Sequence, residues 1–107
     1  TYVDDIVEGV VRVLDRPPGA HPATGAPYAI YNIGNHEAVE LSEFIATLER
    51  LLGRAAKRDL QPMQPGDVPA TYASIDRLRA ATGFAPRTPL AEGLARFVAW
   101  YRGYHRV

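Results

Sequence analysis

The run Met63-Gln64-Pro65-Gly66-Asp67-Val68 sets a carboxylate beside a glycine, where backbone is able to approach a ligand closely. Prolines at 62, 65 and 69 confine the run to a stiff loop. The same residues also make an ordinary Pro-Gly turn in which the aspartate bonds its own backbone, and spacing alone does not separate the two readings. Other chemistry-bearing groups offer less. Asp4 and Asp5 are adjacent, so on a helix they point to different faces and cannot flank one scissile bond; at a helix N-terminus they simply complement the dipole. His21, His36 and His105 lie far apart without metal-ligand spacing, and the absence of cysteine removes disulfides, thiolate chemistry and cysteine metal sites. Trp100, Tyr101 and Tyr104 could stack on a ligand, but their helical spacing points instead to core plus a partly exposed anchor.

A chain of 107 residues is one domain, 1–107, near the small end for an independent fold. Its 12 basic and 12 acidic residues cancel, so no global field draws in nucleic acid or an anionic membrane, and affinity has to come from local pockets. No apolar run approaches the roughly 20 residues that span a bilayer, and no basic-apolar-small leader opens the chain. A soluble, cytoplasmic protein is the expectation.

The elements that position these groups follow from periodicity. Val3, Val7, Val10, Val11 and Leu14 recur as one buried helical face requires, with Asp4 or Asp5 as cap and Pro17-Pro18 as stop. Residues 17–27, rich in proline and glycine, read as a surface loop. The segment 28–33 is apolar on both faces, as in a strand covered on both sides, and Gly34-Asn35 ends it. A second helix starts near Ser42 or Glu43, buries Phe44, Ile45, Leu48, Leu51 and Leu52, and stops at Gly53. Short strands are expected at 57–61 and 71–73. Ser74 is placed to cap a helix running through Leu78 to Gly83. Thr88-Pro89 opens the last helix, which buries Leu90, Leu94, Phe97, Val98 and Tyr101 and keeps Arg96, Arg102 and Arg106 on its wetter side. The fold class predicted is α/β, about four helices with short strands.

Read together with Thr1-Tyr2-Val3-Asp4-Asp5-Ile6-Val7-Glu8-Gly9-Val10 and Tyr31-Asn32-Ile33-Gly34-Asn35, the loop makes nearly the whole chain resemble the C-terminal part of nucleotide-sugar epimerases of the extended short-chain dehydrogenase/reductase family, most of all the branch acting on UDP-glucuronate. The resemblance implies a C-terminal nucleotide-sugar-binding lobe lacking the Rossmann core. Neither a glycine-rich dinucleotide fingerprint nor a Tyr-x-x-x-Lys pair occurs in the sequence. NAD and the catalytic groups are therefore expected on the absent N-terminal part, with no catalytic or cofactor-binding residue here. Carried over by position, Gln64 reaches a substrate phosphate, Asp67 accepts hydrogen bonds from the ribose hydroxyls and Thr71 borders the nucleotide. Thr71 reads equally as a strand residue. Enzymes acting on UDP-galactose commonly carry arginine where Gln64 stands, and a neutral amide forgoes that charge-assisted contact. Ser74 replaces a common aspartate, and either residue caps a helix.

What the resemblance implies for the parent is inversion of carbon 4 of a UDP-hexuronic acid through a 4-keto intermediate. The isolated chain is expected to be inactive, to bind no nucleic acid or membrane, and to self-associate through strand 28–33, whose sheet neighbours would lie in the absent part. Two alternatives stay open. One is the corresponding lobe of a UDP-sugar decarboxylase or nucleotide-sugar dehydratase; the other is a non-enzymatic α/β interaction module.

Overall fold

The computed structural model of the chain describes residues 1–35, 37–68 and 70–107; His36 and Pro69, the last proline of the loop, lie outside them. The described residues form four helices, α1 (Val3–Leu14), α2 (Leu41–Leu52), α3 (Asp76–Thr82) and α4 (Leu90–His105). They gather into two compact units, one of Thr1–Glu37 with Tyr72–Thr88 and one of Ala38–Thr71 with Pro89–Val107.

In the first unit α1 packs against α3. Leu78 and Pro86 are fully buried, and Ile75 nearly so. The inward side of α1 carries Asp5, Ile6, Gly9 and Val13, with Gly9 buried. A side chain at Gly9 would meet Ile33 at 3.1 Å, so glycine is what lets the segment before Gly34 cross the helix closely. Three hydrogen bonds between distant residues fasten the unit. The Thr88 N–H donates to Asp5 Oδ2 (2.9 Å), the Asn35 N–H to Thr1 Oγ1 (2.8 Å) and Asn32 Nδ2 to the Ser74 carbonyl (3.3 Å).

In the second unit α2 pairs with α4, burying Thr47 on the former and Gly93, Leu94 and Val98 on the latter. Arg102 Nη2 donates to the Leu52 carbonyl (2.9 Å), satisfying one of the orphan acceptors at the end of α2. Helix stops fall where expected. Gly53 and Gly83 both adopt the left-handed conformation, with φ of 68° and 70°, and send their N–H groups back to Glu49 and Arg79 carbonyls.

Several expectations are corrected. No strand is found among the described residues, so the segments 28–33, 57–61 and 71–73 are not strands in this chain. A strand exists only through its ladder, and these segments find other partners. Residues 32–34 lie beside 73–74 through the Asn32 bond and a Gly34 approach in which an added Cβ would sit 3.1 Å from Ala73. The Ala56 N–H and Arg58 both turn to the Glu49 carboxylate.

The valine stripe of α1 faces outward: Val3, Val7, Val10, Val11 and Leu14 are all exposed, Leu14 by 75%. Hydropathy selected that stripe because the true inner side contains an aspartate and a glycine. On α2, Ile45, Leu48 and Leu51 are half-buried while Phe44 and Leu52 are exposed. On α4, Leu94 and Val98 are buried and Leu90 half-buried, but Phe97 and Tyr101 are exposed, joined with Trp100, Tyr104 and His105 in a run of ring contacts. The N-cap positions fall on Tyr2, Ile75 and Pro89, because Asp4 and Asp5 are already helical, Ser74 lies one residue early and Pro89 one residue outside. Ser74 still accepts from the Asp76 N–H at 3.5 Å and donates to its carboxylate at 2.9 Å.

Candidate functional site

The loop 61–68 leaves from a fixed point. At the end of α2, Glu49 accepts from the Ala56 N–H at 2.9 Å and from Arg58 Nη2 at 2.7 Å, folding the chain back before the loop begins. These contacts, the backbone N–H foremost and Arg58 after it, hold the Glu49 carboxyl below its usual value. Nothing in the sequence announced this clamp, because a pair nine residues apart across a helix end has no periodic signature.

Within the loop the Asp67 N–H donates to the Gln64 carbonyl at 3.1 Å, with Pro65 and Gly66 between them and Gly66 at φ 98°. That is the signature of a type II turn, in which proline presets the first central residue and glycine supplies the positive φ of the second. Closure brings the α-carbons of Gln64 and Asp67 to within about 7 Å. Both side chains are exposed. Gln64 Nε2 reaches the Pro62 carbonyl at 3.5 Å. No hydrogen bond or ion pair to the Asp67 carboxylate is found among the described residues, so the self-bonded aspartate of an ordinary turn is not observed. Thr71, also exposed, lies beyond the turn and is not brought to it by any hydrogen bond found here. Apolar Leu60, Met63 and Val68 flank the turn and are largely exposed.

In the first unit an open cleft of about 680 Å³ is lined by His21, Tyr28, Ile30, Tyr31, Arg77 and neighbouring alanines. His21 and Tyr28 stack there at 4.6 Å. None of Gln64, Asp67 and Thr71 lines it. Among the described residues no group of His, Asp or Glu side chains is placed to hold a metal, and no helix is long and apolar enough to cross a membrane.

No family model matches the chain. It is 43% identical over 99% of its length to Protein CapI of Staphylococcus aureus and 42% identical over 99% to a probable UDP-glucuronate 4-epimerase of Rhizobium meliloti, spanning 35% and 34% of those proteins. Among solved structures, 97% of the chain matches 31% of a mutant UDP-glucuronic acid 4-epimerase from Bacillus cereus, in complex with UDP-4-deoxy-4-fluoro-glucuronic acid and NAD, with a TM-score of 0.78 and 24% identity. A four-helix frame presenting a Pro-Gly loop, with that likeness in backbone, has the fold of the C-terminal part of a nucleotide-sugar epimerase. More particularly, the chain is homologous to the C-terminal part of UDP-glucuronate 4-epimerases, and it spans about a third of the length of the first relatives it matches.

Proposed function

We propose that the chain is the nucleotide-sugar-binding part of an NAD-dependent epimerase that inverts carbon 4 of UDP-glucuronate, working in the cytoplasm. One observation carries the site: the type II turn sets Gln64 and Asp67 at its two ends and leaves the Asp67 carboxylate open to solvent, without a partner among the described residues. A carboxylate so placed accepts hydrogen bonds from two vicinal ribose hydroxyls, while the Gln64 amide donates to a phosphate oxygen. Thr71 adds a hydroxyl at the border of the nucleotide. The identity to UDP-glucuronate 4-epimerases along nearly the whole chain supports the substrate class.

The residues present do not fit NAD, since no glycine-rich phosphate cradle occurs in the sequence. NAD supplies hydride acceptance and return in such a parent, and that chemistry is assigned to the part outside this chain. The task of these residues is to hold UDP while the sugar turns, which requires contacts to the nucleotide and few to the hexose.

In the full-length protein Asp67→Ala should weaken UDP binding by about 1–3 kcal/mol, and Gln64→Ala by less, because water replaces a neutral donor to phosphate readily. NAD content should stay unchanged in both. Calorimetric titration with UDP decides it, and full affinity in Asp67→Ala returns the loop to a purely structural turn. A decarboxylase or dehydratase lobe remains the second reading, favoured by nothing in the geometry. Incubating the parent with UDP-glucuronate and identifying the product separates a 4-epimer from a pentose or a dehydrated sugar.

A further inference from the structure

Glycine serves two ends in this chain. At Gly9 and Gly34 an added Cβ would meet a neighbouring side chain at 3.1 Å, so those positions are glycine for closeness. At Gly66, as at Gly53 and Gly83, the φ is positive and an added Cβ would meet nothing within 4 Å, so glycine stands there for conformation. The loop has little else to shape it. Leu60, Met63 and Val68 are largely exposed rather than packed, and the bond that closes the turn, from the Asp67 N–H to the Gln64 carbonyl at 3.1 Å, encloses only Pro65 and Gly66. A single exposed hydrogen bond stabilises a closed turn only modestly, so the two enclosed residues decide how much of the loop is closed.

We infer that Pro65 and Gly66 are positioning residues for the nucleotide: they set the separation of the Gln64 amide and the Asp67 carboxylate through the backbone, and Gly66 acts by its φ rather than by making room for the ligand. The inference rests on the reading of Gln64 and Asp67 as contacts to UDP. In a loop held by no packing, a residue that disfavours positive φ moves the population away from the closed turn, and apparent affinity falls with the fraction that stays closed. An L side chain opposes the left-handed region by an amount equivalent to roughly tenfold in such an equilibrium. Asparagine is the exception, since it is accepted at this position of a type II turn. Proline at 65 presets the other central φ, and its loss loosens the turn more mildly.

The test titrates the full-length protein with UDP by calorimetry and measures KM and kcat for UDP-glucuronate. Gly66→Ala should weaken UDP binding on the order of tenfold and Pro65→Ala about two- to fivefold, while Gly66→Asn recovers most of the loss. KM should rise in step with the loss of UDP affinity while kcat holds, because the nucleotide is gripped alike in ground and transition states. In an Asp67→Ala background Gly66→Ala should cost little more, since it acts largely through that carboxylate. Equal losses in Gly66→Ala and Gly66→Asn overturn the proposal, because glycine would then be needed for the approach of the ligand. Full affinity in Gly66→Ala beside a loss in Asp67→Ala also overturns it and leaves the reading of the loop standing, whereas full affinity in Asp67→Ala removes both.

Discussion

The two units solve different problems with similar numbers of residues. The first is fastened by hydrogen bonds between residues far apart in sequence, has its tightest packing around Leu78 and Pro86, and still leaves one whole side of α1 uncovered. The second is a helix pair that buries Thr47 and Gly93 beside Leu94 and Val98, and its loop carries exposed polar and apolar groups out from the Glu49 clamp. The difference separates residues whose loss should unfold the protein from those whose loss should spare the fold and change binding.

The largest effect expected is from Leu78→Ala, which opens a cavity in the first unit and should cost about 2–5 kcal/mol in urea unfolding of the full-length protein. A smaller loss than for Leu94→Ala would place the firmer core in the second unit and break the contrast. Next comes Asp5→Ala, which strands the part-buried Thr88 N–H and should cost about 1–3 kcal/mol, whereas Asp5→Asn, keeping an acceptor, should recover most of it. Equal losses in the two variants would show that the bond is not what fastens the ends.

The smallest is a pH effect in the second unit. Because folding lowers the Glu49 pKa from about 4.5, its contribution is present above that value and lost as pH falls through the lower folded one. Acid unfolding curves of wild type and Glu49→Gln should therefore be fully separated above pH 4.5 and close up as pH falls from there through the lower folded value. Parallel curves would remove the clamp from the account.

Helix positions were legible because their signals are local. Gly53 and Gly83 stop helices in a left-handed conformation that favours glycine, and Pro65-Gly66 writes the turn in the same way. The inner side of α1 was not legible, since a helix apolar on two sides offers two stripes and hydropathy prefers valines to the Asp5 and Gly9 that face the unit's interior. The segment 28–33 has a strand's composition but forms none, because strand formation depends on a partner, which composition does not supply. In the site, the turn was readable from its residues, but the roles of Gln64, Asp67 and Thr71 came from resemblance. The Glu49 clamp joins residues with no periodic relation, so no sequence pattern marks it.

The bond from Thr88 to Asp5 spans 83 positions, and the unit that it closes is assembled from two stretches of the chain, Thr1–Glu37 and Tyr72–Thr88. On the ribosome α1 therefore emerges long before α3 and residue 88, and at roughly 5–20 residues per second the interval is several seconds. During that interval the first helix has neither its inner neighbours nor its staple, whereas α2 is already synthesised. The nascent protein thus passes through a stage at which the inner side of α1 is bare, making that stage a point of need for chaperones.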